Sequence, residues 1–194
     1  MIESETQTSS TSVNKIHFRT PSIEDGPVVW QLVQAAGILE VNTAYFYLIF
    51  CEEFQNSCLL AEQDGQVVGV VLGFRRPKSI ETLFCWQIGV LPSVRGQGLA
   101  KQMLKAWIRL AGNESVTHVQ ATVAKDNAAS DRLFRAFARD LGAQCNITPW
   151  LTSPLLPSGH SDEPLYDISP IGRQPSPQAL SHSAVVGTFA TSTH

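Results

Sequence analysis

The residue types best suited to chemistry form one short segment, Arg95-Gly-Gln-Gly-Leu-Ala100. Glycine has no Cβ, so the backbone at Gly96 and Gly98 can come close to a phosphate group. A helical pattern begins directly after these glycines, and the first turn of a helix offers unpaired N–H groups and the positive end of its dipole. Because Arg95 adds a positive charge, the segment predicts a site for a phosphate-bearing ligand.

Two common nucleotide-binding motifs do not fit this segment. The triphosphate loop G-x-x-x-x-G-K-[ST] requires a lysine and a hydroxyl directly after its last glycine. The dinucleotide motif G-x-G-x-x-G requires a third glycine, but Gly98 is followed by Leu99, Ala100 and Lys101. Two alternatives remain: a different phosphate ligand, or a plain strand–turn–helix whose glycines serve only the turn.

The segment lies between a predicted buried strand and a predicted amphipathic helix. The apolar run Leu83–Leu91 is typical of a buried strand, and Pro92 and Ser93 turn the chain after it. The helix is predicted to run to about Gly112, because apolar residues recur at helical spacing on one face. These residues are Leu99, Met103, Leu104, Trp107, Ile108 and Ala111.

The other elements follow in an alternating order along the chain. Strands are predicted at Ile16–Arg19, Ser57–Glu62, Val67–Phe74 and Val116–Val123, with a hairpin turn at Asp64-Gly65. Helices are predicted from a cap at Asp25 to Gly37, at Asn42–Phe50 and at Ala128–Leu141, before a last segment from Cys145 through the Leu151–Gly159 loop to Leu165–Ile168. This order predicts an α/β (α+β) fold in which helices flank a mixed central sheet.

Length, charge and cysteine content exclude several classes of protein. The 194 residues suit one domain of about 150 residues, predicted at 15–168, between disordered segments at 1–14 and 169–194. A net charge of −3 gives no electrostatic case for a nucleic-acid partner, and no apolar run reaches the roughly 18 residues of a membrane span. The N-terminus is unlike a secretory signal, and the four cysteines lack metal-ligand spacing. We therefore expect a cytoplasmic protein with reduced thiols, no metal and no membrane partner.

The segment Arg95–Ala100 resembles the pyrophosphate loop of the GNAT superfamily of acyl-CoA N-acyltransferases, R/Q-x-x-G-x-G/A. The order of elements over Ile16–Ile168 resembles the GNAT fold, in which the fourth and fifth strands splay apart around the pantetheine arm of the cofactor. The resemblance implies acetyl-CoA as the acetyl donor. It also implies cofactor contacts from Ile88, Val90, Arg95, Gly96, Gln97, Gly98, Leu99, Ala100 and Asn127, the last of which could also cap a helix.

Five segments resemble one GNAT family more closely, the L-2,4-diaminobutyrate acetyltransferases of ectoine biosynthesis. They are Asn42-Thr-Ala-Tyr-Phe-Tyr47, Leu83-Phe-Cys-Trp-Gln-Ile88, Arg95-Gly-Gln-Gly-Leu99, Thr122-Val-Ala-Lys-Asp-Asn-Ala-Ala-Ser-Asp-Arg-Leu-Phe134 and His160-Ser-Asp-Glu-Pro-Leu-Tyr166. The resemblance implies acetyl transfer to the γ-amino group of L-2,4-diaminobutyrate by a homodimer. The alternatives are a GNAT enzyme for another small amine, polyamine or protein amine, and a GNAT-fold binding module without catalysis.

The resemblance also implies where the thioester oxygen is stabilised. GNAT enzymes have a bulge in the fourth strand that frees one N–H for the oxyanion, and Gly89 is a natural place for a bulge. The predicted donor is the N–H of Val90 or of Leu91, with Val90 taken as the catalytic group. Many GNAT enzymes place a proton-donating tyrosine where this chain has Phe134, which is predicted to be a core residue.

An acceptor with two ammonium groups and a carboxylate needs acidic groups, an aromatic wall and a polar clamp. Glu40, Tyr45 and Trp86 are predicted to supply the acidic group and the wall, and His160 the opposite side. Core packing is the alternative for Trp86, and loop packing is the alternative for His160. Glu163 is the predicted general base, although Glu40 or a water molecule on a strand carbonyl would also serve.

Overall fold

The computed structural model describes residues 15–172. The predicted disordered segment at 1–14, and residues 173–194 of the one predicted at 169–194, lie outside the described residues. The folded chain continues past the predicted boundary at residue 168. Ser169 ends the last strand, and the buried Ile171 donates its backbone N–H to the Thr117 carbonyl at 2.9 Å. The domain extends further than predicted because Ile171 fills part of the core.

The helices and strands follow the predicted α/β order. The strands of residues 15–172 are β1 (Ile16–Arg19), β2 (Leu59–Gln63), β3 (Gln66–Arg76), β4 (Ser79–Val90), β5 (His118–Thr122), β6 (Gln144–Leu151) and β7 (Glu163–Ser169). The α-helices are α1 (Gly26–Ala36), α2 (Ala44–Glu53), α3 (Leu99–Trp107) and α4 (Ala128–Leu141). None of these helices of the described chain is long and apolar enough to cross a membrane.

The strands form one mixed sheet in the order β1-β2-β3-β4-β5-β7-β6. All neighbours are antiparallel except β4 and β5, which are parallel. Pairing between β4 and β5 stops at Cys85 and Ala121, although β4 runs on to Val90. Beyond that point the chain after β5 stays with the β7 side, since the Val123 N–H donates to the Pro164 carbonyl. The sheet therefore opens between β4 and β5, which agrees with the predicted splayed strand pair.

Two hydrophobic layers cover the two faces of this sheet. α1 and α2 pack on one face, with a core that contains Val29, Leu32, Val33, Tyr47, Phe50, Leu60, Val70 and Leu72. The core on the face of α3 and α4 contains Leu83, Cys85, Met103, Leu104, Trp107, Val119, Phe134 and Phe137. Because alternate residues of a strand point to opposite faces, the opening beside β4 can be reached by groups from both layers.

Helix α3 is shorter than predicted. The periodicity predicts a helix to about Gly112 with Ala111 on its inner face, but α3 ends at Trp107 and Ala111 is exposed. The Asn113 side chain explains the early end, because its Nδ2 donates to the Trp107 carbonyl at 3.0 Å. The same carbonyl also accepts the Leu110 N–H at 3.2 Å, so a tight turn closed by the Asn113 side chain replaces the last predicted turn of the helix.

Asp25 precedes α1 as predicted, but its side chain does not cap the helix. Its carboxylate accepts hydrogen bonds from Nη1 and Nη2 of Arg19, both at 2.7 Å, and from the Ser22 N–H at 2.8 Å. A bidentate charged pair is a stronger interaction than a cap, so it takes the carboxylate away from the helix end. The pair lowers the pKa of Asp25 below its usual range, chiefly through the Arg19 hydrogen bond.

Candidate active site

The glycine loop is open toward solvent and ends at an uncapped helix. Gly96 and Gly98 have φ angles of 76° and 73°, a left-handed conformation that favours glycine. No atom of residues 15–172 lies within 4 Å of the position that a Cβ would take at either glycine. α3 begins at Leu99 without a side-chain cap, and its first internal bond runs from the Gln102 N–H to the Gly98 carbonyl. The N–H groups of the first turn can therefore bind an anion.

The cations predicted near this loop already have partners. The Arg95 guanidinium donates to the Ala36 carbonyl at the end of α1. The Lys101 ammonium lies 3.0 Å from the Asp140 carboxylate, which also pairs with Lys105 at 2.6 Å. Asp140 offsets much of the charge of Lys101, whereas the neutral Ala36 carbonyl leaves the charge of Arg95 intact. The backbone N–H groups and Arg95 are therefore the groups of the loop that can bind an anion.

The bulge in β4 lies at Trp86 and not at Gly89, so the predicted position was wrong. Cys85 pairs with Gly73 and Gln87 pairs with Leu72, which leaves Trp86 as the extra residue. Gly89 pairs in regular register with β3. Its lack of a side chain has another reason, since a Cβ there would come within 2.8 Å of Leu39 Cδ1 from the segment after α1.

Two backbone N–H groups of β4 face the opening between β4 and β5. The Leu91 N–H donates to the Val68 carbonyl at 2.9 Å, so it is not free for an oxyanion. Alternate N–H groups of an antiparallel strand point to opposite sides, so Gly89 bonds toward β3 while Ile88 and Val90 face away from it. Of the two predicted oxyanion donors, the geometry leaves Val90.

The aromatic residues of the acceptor side lie on the face of α2. Trp86 is 47% exposed, and its ring centroid lies 5.9 Å from that of Phe46 and 6.4 Å from that of Phe50. Trp86 is therefore a partly exposed side chain that can contact a ligand, and it is not a core residue. Tyr45 is 69% exposed while Tyr47 is buried, as their spacing of two along the helix requires. Trp86 therefore packs against Phe46, a residue that the sequence did not single out for the site. Tyr45 lies at the solvent-exposed edge of this aromatic group.

Glu40 lies in the segment between α1 and α2 and is tied to β4 through its backbone. Nε2 of Gln87 donates to the Glu40 carbonyl at 2.6 Å. The Tyr47 hydroxyl donates to Oε1 of Gln87 at 3.4 Å and accepts the Asn42 N–H at 3.1 Å. Gln87 was not among the predicted site residues, although a polar residue inside the apolar run of β4 could have pointed to it.

Glu163 and His160 lie on the far side of the opening. Glu163 is the first residue of β7 and pairs with Leu151. Side chains alternate along β7, and Tyr166 packs toward α4, so Glu163 lies on the opposite face, the one that carries Trp86. His160 is exposed in the loop before β7. No hydrogen bond, ion pair or ring contact of the described residues joins it to Glu40 or Trp86.

A second aromatic wall comes from the end of β6. The Trp150 ring lies 5.9 Å from the Phe84 ring, and the Arg76 guanidinium lies 5.3 Å from the Trp150 centroid. The register shift between Thr148 and Leu151 lets Trp150 turn over this face of the sheet. It also lines a cavity of about 300 Å³ beside Pro164. Sequence spacing could not predict the position of the Trp150 ring, because pairing with β7 sets the register shift in β6.

The groups around the start of α4 are occupied by structural contacts. Asn127 caps the helix through the Ser130 N–H at 3.0 Å, as predicted, which leaves its amide nitrogen for a ligand. Phe134 is buried, as predicted. Tyr166 does not replace the missing tyrosine acid, because its hydroxyl donates to Asp131 at 2.7 Å. Burial and this bond raise the pKa of Tyr166 to about 12.

The buried cysteines are protonated thiols. Burial raises the pKa of Cys51 and of Cys58 to about 12, and it also raises the pKa of Cys85. Cys145 is half-buried, and all four thiols are free of disulfides. A thiol with so high a pKa is not a nucleophile at neutral pH. Within residues 15–172 no group of three or more His, Cys, Asp or Glu side chains could hold a metal ion.

The chain is similar in sequence to known acetyltransferases. Residues 28–138 match the acetyltransferase (GNAT) family. The chain is 38% identical over 154 residues to the L-2,4-diaminobutyric acid acetyltransferase of Virgibacillus pantothenticus, covering 79% of this chain and 97% of that one. It is 35% identical over 157 residues to the enzyme of the same name from Nocardia farcinica, covering 81% of each chain.

Solved structures give the same result at the level of the fold. The diaminobutyrate acetyltransferase EctA from Paenibacillus lautus, in complex with its substrate L-2,4-diaminobutyric acid and coenzyme A, is 34% identical with a TM-score of 0.79. The match covers 84% of this chain and 99% of that chain. The ribosomal-protein-S18-alanine N-acetyltransferase of Escherichia coli is 16% identical with a TM-score of 0.59, over 83% of this chain and 97% of that one. This second likeness shows the fold alone.

Proposed function

Because the chain belongs to the acetyltransferase (GNAT) family and, within it, to the L-2,4-diaminobutyric acid acetyltransferases, we propose that it transfers the acetyl group of acetyl-CoA to the γ-amino group of L-2,4-diaminobutyrate. The product is N-γ-acetyl-2,4-diaminobutyrate, an intermediate of ectoine biosynthesis. The enzyme from Paenibacillus lautus was solved with L-2,4-diaminobutyric acid and coenzyme A, which supports this pairing of acceptor and donor.

The opening between β4 and β5 is the observation that carries the proposal. The N–H groups of Ile88 and Val90 face it from β4, where they would bind the pantetheine arm and the thioester oxygen. The glycine loop Arg95–Ala100 follows directly after the strand, and its N–H groups would bind the pyrophosphate. Asn127 lies at the start of α4, beyond the end of β5, and would contact the pantetheine arm.

The acceptor would approach from the face of α2. Glu40, Tyr45 and Trp86 would surround the amino acid, with His160 on the opposite side. The α-amino group and the carboxylate of the acceptor form one zwitterionic end, which polar groups can clamp. The γ-amino group is then the free end that reaches the thioester. Proximity and orientation dominate such a transfer, so the clamped end and the reacting end should be opposite ends of the acceptor.

The residues of the site would divide the reaction between them. Glu163 would take a proton from the γ-ammonium group, directly or through one water molecule, so that the neutral amine attacks the thioester carbon. The Val90 N–H would stabilise the oxyanion that forms as the C–N bond is made. The C–S bond then breaks, and the nitrogen gives its remaining extra proton to the departing thiolate, directly or through water, so that the products are the amide and coenzyme A. Phe134 has no proton to give, so the thiolate leaves without help from that position.

Direct attack of the amine agrees with the state of the cysteines. A route through an acetylated enzyme would require a thiolate next to the opening. Cys85 is the cysteine nearest to the bulge in β4, but it is buried against the layer of α3 and α4, and its pKa is raised by burial. A neutral buried thiol cannot take the acetyl group at a useful rate.

The proposal also covers the cellular compartment and the oligomeric state. The free thiols suit a cytoplasmic enzyme that produces a precursor of a compatible solute for osmoadaptation. We propose a homodimer, which the resemblance implies. Exposed apolar side chains such as Ile80 and Leu155 are available for such an interface.

A panel of amines tests this function. Consumption of acetyl-CoA should be fast with L-2,4-diaminobutyrate and at least about tenfold slower with 1,3-diaminopropane, which lacks the carboxylate and its clamp. Lysine peptides and polyamines should be slower still, because the acceptor end of the site is built for a small zwitterion. Equal turnover of 1,3-diaminopropane, or faster turnover of a polyamine, would contradict the proposed acceptor.

A further inference from the structure

The loop that carries Glu40 has little packing of its own. It runs from Gly37 to Thr43 between α1 and α2, and we call it the acceptor loop. Ile38 and Val41 of this loop are exposed, and Leu39, which packs against the core beside Gly89, supplies its main apolar contact. A short surface segment of this kind adopts one conformation only if its backbone is tied down at particular points.

Gln87 provides two such ties from inside the sheet. It is only 8% exposed, and each end of its amide has a partner. Nε2 donates to the Glu40 carbonyl at 2.6 Å, and Oε1 accepts the Tyr47 hydroxyl, which in turn accepts the Asn42 N–H. The two backbone groups on either side of Val41 are thereby joined to β4 through one buried amide.

The position of Gln87 relates the acceptor loop to the reacting atoms. Gln87 follows the bulge residue Trp86 and precedes Ile88, whose N–H faces the opening. The amide thus lies between the strand that would receive the thioester and the loop that carries Glu40. A buried amide is costly unless its hydrogen bonds are satisfied, and an apolar side chain of similar length would fill the same space. Filling the core is therefore an insufficient reason for glutamine here.

We propose that Gln87, together with Tyr47, is a positioning residue that sets Glu40 at the acceptor side of the site. It acts through the backbone of the acceptor loop and does not itself touch the acceptor. The inference rests on the proposed function, since it takes Glu40 as an acceptor-binding residue.

The variants Gln87→Met and Tyr47→Phe remove the ties with little change in volume. Each should raise the KM for L-2,4-diaminobutyrate by about tenfold, the effect of losing one or two hydrogen bonds. The KM for acetyl-CoA should change by less than about twofold, because the backbone of β4 and the glycine loop is untouched. Tyr47→Phe removes only one hydroxyl group, so its KM values can still be measured if Gln87→Met does not fold. Unchanged KM values for the acceptor in both would overturn the proposal.

Combining Gln87→Met with Glu40→Gln shows whether one residue acts through the other. Glu40→Gln alone should raise the KM for the acceptor, and adding Gln87→Met should raise it by no more than about a further twofold. A full additional effect would mean that Gln87 acts independently, and the inference would fail while the role of Glu40 stands. An unchanged KM in Glu40→Gln would overturn the role of Glu40 and the inference with it.

Amide hydrogen exchange gives a readout that does not depend on activity. The Asn42 amide should exchange faster in Tyr47→Phe, which removes its acceptor, and in Gln87→Met, which removes the partner that orients the Tyr47 hydroxyl. Asn113→Leu is the matched control, since it also removes a buried amide, bonded to the Trp107 carbonyl, at a site remote from the acceptor loop. It should lower Tm without changing the acceptor KM or the Asn42 exchange. An equal rise in KM in this control would mark the effect as general destabilisation and overturn the proposal.

Discussion

The donor side and the acceptor side of the proposed site are built in different ways. The donor side consists of backbone N–H groups along one continuous segment, from Ile88 in β4 to Ala100 in α3. The acceptor side is assembled from side chains on separate elements, with Glu40 after α1, Trp86 in β4 and Glu163 in β7. A site made of consecutive backbone depends on local conformation, while a site made of distant side chains depends on sheet register and loop anchoring. Substitutions on the donor side should therefore change the affinity for acetyl-CoA, and substitutions on the acceptor side should change the KM for the acceptor or kcat.

The largest effect should come from a charge in the donor side. We expect Gly98→Glu to weaken acetyl-CoA binding by at least about 100-fold, because a carboxylate at the helix start repels the pyrophosphate and occupies its site. Calorimetric titration with acetyl-CoA measures this directly.

Gly112→Glu is a matched control for backbone strain. Gly112 also has a positive φ, of 88°, and also has open space where a Cβ would stand. The two variants carry the same strain and charge, but only Gly98→Glu should lose acetyl-CoA binding. Unchanged acetyl-CoA affinity in a folded Gly98→Glu variant would refute the assignment of the loop.

Glu163→Gln tests the chemical step on the acceptor side. Loss of a general base should lower kcat by about 100-fold, and the residual rate should rise with pH as more of the amine becomes neutral. The affinity for acetyl-CoA should not change, because Glu163 is the first residue of β7 and is not part of the glycine loop. Glu81→Gln, at the far end of β4, should leave kcat unchanged. A loss of less than about threefold in Glu163→Gln would assign the proton transfer to Glu40 or to water.

Asp25→Asn should affect stability and neither side of the site. The carboxylate is paired with Arg19, so the variant should lose about 2 kcal/mol of unfolding free energy at neutral pH. The pKa of Asp25 is lowered in the fold, so its contribution is present above the unfolded pKa and is lost as the pH falls through the folded value. The difference between variant and parent should thus shrink below about pH 4. Denaturant unfolding against pH measures this, with Asp64→Asn in the exposed β2–β3 turn as the control. A difference that grows on acidification would contradict it.

The smallest effect on the reaction is expected for Phe134→Leu. The side chain is buried in the core, so the substitution should cost about 1 to 2 kcal/mol of stability. Because phenylalanine gives no proton, kcat should stay within about twofold of the parent value. A 100-fold loss of kcat in a folded variant has the size of a lost acid or base and could not come from this side chain.

Much of the fold could be predicted from the sequence because its elements depend on local patterns. The periodicity of α4 and the Asp64-Gly65 turn are local, and both are confirmed. The end of α3 was wrong because it depends on Asn113, whose side chain returns to the helix end. Asp25 was assigned to a cap because Arg19, its partner, is brought close only by the fold.

In the proposed site, too, locally encoded features could be predicted, and features set by contacts between distant elements could not. The glycine loop could be predicted because its conformation and its helix start are encoded within six residues. The bulge at Trp86 could not, because the register between β3 and β4 sets it. Gln87 and Trp150 were missed for the same reason, since their partners lie on other elements. The acceptor side therefore required a structure, whereas on the donor side the structure decided only between the N–H groups of Val90 and Leu91.

Product NMR tests the assigned reaction most directly. The enzyme is incubated with L-2,4-diaminobutyrate and acetyl-CoA labelled with ¹³C in the acetyl group, and the labelled product is examined for the nitrogen that carries the acetyl. We expect the acetyl group on the γ-nitrogen, because in the proposed site the α-amino group and the carboxylate would be clamped away from the thioester. Acetylation mainly on the α-nitrogen would reverse the orientation of the acceptor. The absence of any acetylated diaminobutyrate would contradict the function itself.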